Sequence, residues 1–242
     1  LSRLDNSVFP LAVVALFVGT LLITCIYTLI VGVSMRSRAY IYYSLYILFL
    51  VLTFYVIVID NIMPIISIVS VKWHDFIQII GLNGSSIFYL LFGRSFVQTR
   101  QKTPKWDYVL QGLIGLRILF TVAAFFETFD LRFPLGDITD LMLLFFVAEA
   151  VLMLIFMVRL AFLRSRIIWF FIIGSALVFL GGFMPIWLSS IFGIFQDNGL
   201  GLIIALSLEI VVFSLGLGYK VRQQQREKIE AEQALNHELH KV

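Results

Sequence analysis

The sequence predicts an all-α fold, a seven-transmembrane helix bundle with a C-terminal cytoplasmic helical extension, and three observations carry that prediction. Hydrophobic residues make up 60% of the 242-residue chain and charged residues 14%, against about 45–50% and about 25% in soluble domains. Seven apolar stretches follow one another between polar breaks, each able to supply the about 20 residues needed to cross a hydrocarbon core of about 30 Å. Lysine and arginine gather in every second connection. Lipid offers the backbone no hydrogen bonds, so these stretches must be helices, and their uniform apolarity differs from the alternating pattern of a barrel strand.

The first stretch, 8–35, contains the single cysteine, Cys25, which excludes a disulfide within the chain. Its length and its lack of a basic leader set it apart from a signal peptide. The second, 39–58, opens with Tyr40, Tyr42, Tyr43 and Tyr46, which together with Trp73, Trp106, Tyr108, Trp169 and Tyr219 suggest aromatic belts at the membrane interfaces. Tyr42 and Tyr46 are one turn apart, as Tyr43 and Tyr46 nearly are, so their face could instead receive a partner helix. In the third, 76–97, Gln78, Asn83, Ser85 and Ser86 alternate with Gly81 and Gly84, a pattern suited to interhelical hydrogen bonds and close backbone approach. The fourth, 108–126, carries Arg117, and the fifth, 138–163, carries Glu149. Gly181, Gly182 and Pro185 cluster in the sixth, 167–191, where they predict a kink. The seventh, 200–219, carries Glu209.

After Tyr219 the composition changes to KVRQQQREKIEAEQALNHELHKV, without proline or glycine and rich in helix formers. The domain division is therefore 1–220 for the membrane bundle and 221–242 for a linker helix that begins a coiled coil. A heptad register placing Val221, Lys228, Leu235 and Val242 at one core position and Gln225, Glu232 and Leu239 at the other is half apolar. It points to a homodimer through this helix, with a solvated extension as the alternative.

Charge placement orients the chain. Arg36, Arg38, Arg94, Arg100, Lys102, Lys105, Arg159, Arg164, Arg166, Lys220, Arg222, Arg226, Lys228 and Lys241 fall on one side of the expected membrane. The other side has Arg3, Lys72 and Arg132, and with them Asp60, Asp75, Asp130, Asp137 and Asp197. By the positive-inside rule the N-terminus is outside and the C-terminus inside. A net charge of +3 is too small to suggest nucleic-acid binding.

Arg117, Glu149 and Glu209 fall near the middle of their spans, a depth at which an unpaired ion is costly. Together with Asn83 they form an expected intramembrane polar network, with Arg117 paired to either Glu149 or Glu209. Such a network either fixes helix packing or serves a ligand, a proton or a conformational switch. His74, His237 and His240 lie outside the apolar stretches, so no intramembrane catalytic dyad or metal site is expected from them. No lysine lies within the seventh span to hold a retinal, and no phosphate-binding glycine loop is present. The sequence thus predicts no enzyme, no cofactor and no metal in this chain.

Three local patterns resemble a known family. The runs from Arg36 to Tyr46, Phe92-Gly93-Arg94-Ser95-Phe96 with Thr99 and Pro104, and Glu209 with Ser214-Leu215-Gly216-Leu217 are similar to the membrane domain of bacterial seven-transmembrane receptors with diverse intracellular signalling modules. The sequence departs from that family at Tyr27-Thr28, where a Tyr-Asn pair is common, and at Arg164-Ser165-Arg166, where a glycine is usual. The resemblance implies an inner-membrane receptor domain between an extracytoplasmic sensing domain and a cytoplasmic output module beyond residue 242, where any catalysis would reside. A transporter or channel subunit using the midspan charges is the rival expectation, although no inverted repeat is visible.

Overall fold

The computed structural model describes residues 2–62, 71–129, 138–163, 165–183 and 200–241, and within them the chain is helical with no strand. The long helices are α1 (Ser2–Ser34), α2 (Arg38–Ile62), α3 (Val71–Val97), α5 (Pro104–Thr128), α6 (Ile138–Ala161), α7 (Arg166–Val178) and α8 (Leu200–Lys241), with a single turn, α4 (Thr99–Lys102), between α3 and α5. Ala12–Ser34, Phe76–Val97, Pro104–Phe126, Leu144–Ala161 and Gly201–Gln233 are long and apolar enough to cross a membrane, and two shorter apolar helices, Arg38–Phe54 and Arg166–Gly181, join them among the described residues. Pro185, the predicted end of the sixth stretch, Asp130, Arg132, Asp137, Arg164, Asp197 and Val242 lie outside the described residues.

Local chemistry sets the boundaries. Helix α1 ends in a Schellman turn, with the Arg36 N–H bonded to the Val33 carbonyl at 3.2 Å and the Ser37 N–H to the Gly32 carbonyl at 3.0 Å. Arg36 takes the left-handed conformation this turn requires, φ 49°, a place more often held by glycine. Gln98 ends α3 in the same left-handed region, φ 61° and ψ 49°. Pro104 opens α5, four residues before the predicted start, because its missing N–H is no loss at a first helical position.

The long helices close a ring. Each of α1, α2, α3, α5, α6, α7 and α8 packs on the next, α8 returns to α1, and α3 crosses inside to reach α7. The centre is aromatic: Tyr43, Phe92, Phe171 and Phe213 are buried, with the Phe92 and Phe213 rings 4.9 Å apart and edge-on and those of Phe171 and Phe213 stacked at 6.0 Å. Large apolar side chains such as Leu16, Leu119, Val151 and Leu215 point outward, which suits a surface solvated by lipid tails.

The tyrosines of α2 correct the sequence expectation. Tyr40, Tyr43 and Tyr46 are buried, at 7%, 0% and 4% exposed, rather than standing in an interfacial belt. They recur at every third residue and so share one helical face, which packs inward. Trp73, Tyr108 and Trp169 remain exposed, as belt residues would.

Helices α7 and α8 meet where the kink was predicted. Phe179–Phe183, containing Gly181 and Gly182, forms a π-helical turn, one of the recognised sources of a helix bend. A Cβ on Gly181 would stand 2.2 Å from the Ala205 Cβ and 3.2 Å from the Gly201 carbonyl oxygen, so only glycine allows this approach. Gly181→Val is therefore expected to destabilise the bundle by about 1–3 kcal/mol through overpacking. An unchanged thermal midpoint in detergent would contradict that close packing.

Candidate functional site

Three helices place charged and amide groups in the bundle interior. Asn83 on α3, Arg117 on α5 and Glu149 on α6 are all buried. The Arg117 guanidinium donates through Nη1 to Asn83 Oδ1 at 3.0 Å and through Nη2 to Glu149 Oε2. Ser86 Oγ donates to the other carboxylate oxygen, Oε1, at 2.9 Å. Phe146 and Phe145 cover the guanidinium, with ring centroids 3.8 and 4.9 Å from Cζ, a cation–π arrangement that is strongest where water is excluded. An ion at this depth is tolerable only when so partnered.

Of the four residues expected to form one network, three therefore meet directly. Glu209, fully buried on α8, has a different partner: Tyr46 Oη donates to its Oε2 at 2.7 Å. Its Oε1 has no partner among the described residues. Beside it, the Tyr46 and Tyr89 rings lie 5.4 Å apart. Tyr89 Oη donates to Ser175 Oγ on α7 at 2.6 Å. A cavity of about 280 Å³ opens beside these groups, with Tyr46, Thr53, Ser86, Tyr89, Arg117 and Glu149 among otherwise mostly apolar lining side chains.

The polar residues of α3 divide their work. Asn83 and Ser86 join the Arg117 cluster, and Ser85 donates to its own helix at the Leu82 carbonyl, 2.8 Å away. Gln78 is exposed. A Cβ on Gly81 would stand 2.9 Å from the Thr53 backbone nitrogen, so the glycine lets α2 approach.

At the basic end of the bundle the structure assembles a cluster that sequence reasoning missed. Asp107, in the first turn of α5, receives Arg94 Nε and Nη2 at 2.9 Å each, Thr99 Oγ1 at 2.5 Å and Gln111 Nε2 at 2.8 Å. It thereby fixes the α3–α5 corner. Lys220 on α8 donates to the Ser95 and Phe96 carbonyls at 2.8 and 3.1 Å, capping the C-terminal end of α3, where a cation is favoured. An acidic residue set alone among basic connections was the signal for Asp107. Lys220 had none beyond the general basic bias.

These features define a class: a polytopic helical membrane protein with an ionised cluster in its interior and a long helix leaving its basic end. The family model for 7TM diverse intracellular signalling matches residues 11–220. The chain belongs to that family, and it is a membrane signalling domain. No curated protein and no solved structure matches it.

Proposed function

We propose that this chain is the signal-transducing membrane domain of a bacterial receptor in the cytoplasmic membrane, with its N-terminus outside and its C-terminus inside. It relays the state of an extracytoplasmic sensing domain through α8 to a cytoplasmic output module beyond residue 242, within a homodimer. The basic residues at one end of the bundle support the orientation, and the family's signalling character supports the relay.

The observation that carries the reading is the continuity of α8. The helix runs unbroken through 42 residues, about 63 Å at 1.5 Å per residue, twice the thickness of a hydrocarbon core. Its bundle half is held by Tyr46 at Glu209 and by α3 at Lys220, whereas Arg222 to Gln233 are exposed. A continuous helix transmits displacement of its buried half to its free half. A signal moves it only by binding the two bundle states with different affinity.

Single cysteines placed from Gln225 to Val242 of the full-length receptor, in a Cys25→Ser background, test this reading in membranes. Disulfide yield is expected to peak every about 3.5 residues, as along a parallel two-stranded coil, and the peaks are expected to change between signalling states. Uniform absence of cross-links would sink the dimeric relay.

A further inference from the structure

We propose that the interior cavity binds a small uncharged amphiphile, a molecule with an apolar body and one hydrogen-bond-accepting oxygen, such as a medium-chain alcohol, ketone or ester, seated against Arg117.

The unsatisfied groups around Arg117 are donors. Arg117 lines the cavity and is 1% exposed. Its Nη1 and Nη2 are taken by Asn83 and Glu149, and Phe145 and Phe146 lie over its ring-facing side. The Nε–H has no partner among the described residues, and neither has the Nδ2 amide of Asn83, its immediate neighbour. Buried donors left unpaired are costly, most of all at membrane depth. Two neighbouring nitrogen donors without a partner among the described residues call for an oxygen.

Charge and lining narrow the class. Glu149 already neutralises Arg117, so a carboxylate ligand would add an unbalanced anion to a medium of low dielectric constant. An ether, carbonyl or hydroxyl oxygen accepts without adding charge. The lining hydroxyls of Tyr46, Thr53, Ser85, Ser86, Tyr89 and Ser175 already donate within the protein, and Leu50, Leu82, Met153, Met157 and Leu206 are apolar, so the many polar groups of a sugar or an amino acid would be penalised here. A cavity of about 150 Å³ holds benzene, so about 280 Å³ admits roughly ten carbon atoms on the same scale. Lining side chains come from α2, α3, α5, α6, α7 and α8, so an occupant touches α8 at Leu206, one turn from Glu209. Binding here stands or falls separately from the signal relay.

Photolabelling of the purified chain in nanodiscs tests the site, using an eight-carbon alcohol that carries a diazirine, with the matching alkane and carboxylate as companion probes. At equal bilayer mole fraction the alcohol is expected to label peptides containing Tyr89, Met153 or Met157 about tenfold more than the alkane does, the worth of one hydrogen bond to a charged donor. Excess octan-1-ol should abolish that labelling. Ala150→Phe, which fills the cavity without removing a polar partner, should reduce it to background. Leu206→Phe does the same from the opposite wall where the first variant does not fold. Labelling confined to outward residues such as Leu119 and Val151, or equal labelling by alkane and alcohol, overturns the proposal. So does stronger labelling by the carboxylate, or a copurifying phospholipid that either filled variant loses.

Discussion

Replacing Glu149 with leucine is expected to destabilise the bundle by about 3–5 kcal/mol, the usual consequence of leaving one member of a buried ion pair without the other. Arg117 is 1% exposed and would keep only Asn83 and the two phenyl rings as partners. Its guanidinium cannot shed its proton to escape. The double replacement, Arg117→Met with Glu149→Leu, removes both charges and is expected to recover most of the lost stability, because a buried pair exchanged for apolar side chains is often neutral or better. The measurement is a double-mutant cycle of unfolding free energies in bicelles. Additive effects of the two single changes would show that the charges do not depend on each other, contrary to the geometry.

The pair illustrates what a single sequence reveals. Depth within an apolar run identified Arg117, Glu149 and Glu209 as groups that must face inward, because position along a span is a one-dimensional property. Which carboxylate meets Arg117 depends on the rotation of α5, α6 and α8 about their axes, and uniformly apolar helices carry no stripe that reveals rotation. The same gap explains the tyrosines of α2. Their placement near one end of a span fits a belt, and the inward turn of the Tyr40, Tyr43 and Tyr46 face depends on neighbours more than 100 residues away, such as Glu209 and Phe213. Asp107 escaped notice for a related reason. Three of its four bonds come from Arg94 and Thr99 across a corner, the fourth from Gln111 one turn along its own helix, and the corner forms where Gln98 adopts a left-handed backbone. Span order and the Gly181–Gly182 irregularity were legible, since hydropathy and backbone chemistry act locally.

On the proposed relay, breaking the bond between Tyr46 and Glu209 is expected to shift the resting balance of the full-length protein. Among the described residues Tyr46 Oη is the one donor to the Glu209 carboxyl, which is 0% exposed. Tyr46→Phe leaves that carboxylate buried without its donor, so any bundle state that gives Glu209 another partner or access to water gains relative to the present one. Glu209→Gln keeps size and an oxygen that can accept from Tyr46, and its effect should be smaller. Coupling free energies between sites typically span about 1–3 kcal/mol, or about 5- to 150-fold in the ratio of states. Tyr46→Phe should move the ratio of unstimulated to stimulated output within that range, and adding Glu209→Gln should change it little further, because the bond that both variants alter is already gone. Output measured across signal levels, beside thermal midpoints to separate misfolding from relay, decides the matter. If Glu209→Gln and Tyr46→Phe both leave output unchanged at every level, the bond between α2 and α8 is packing alone, and the hold of α8 on the bundle must be sought at Lys220 and the α3 carbonyls.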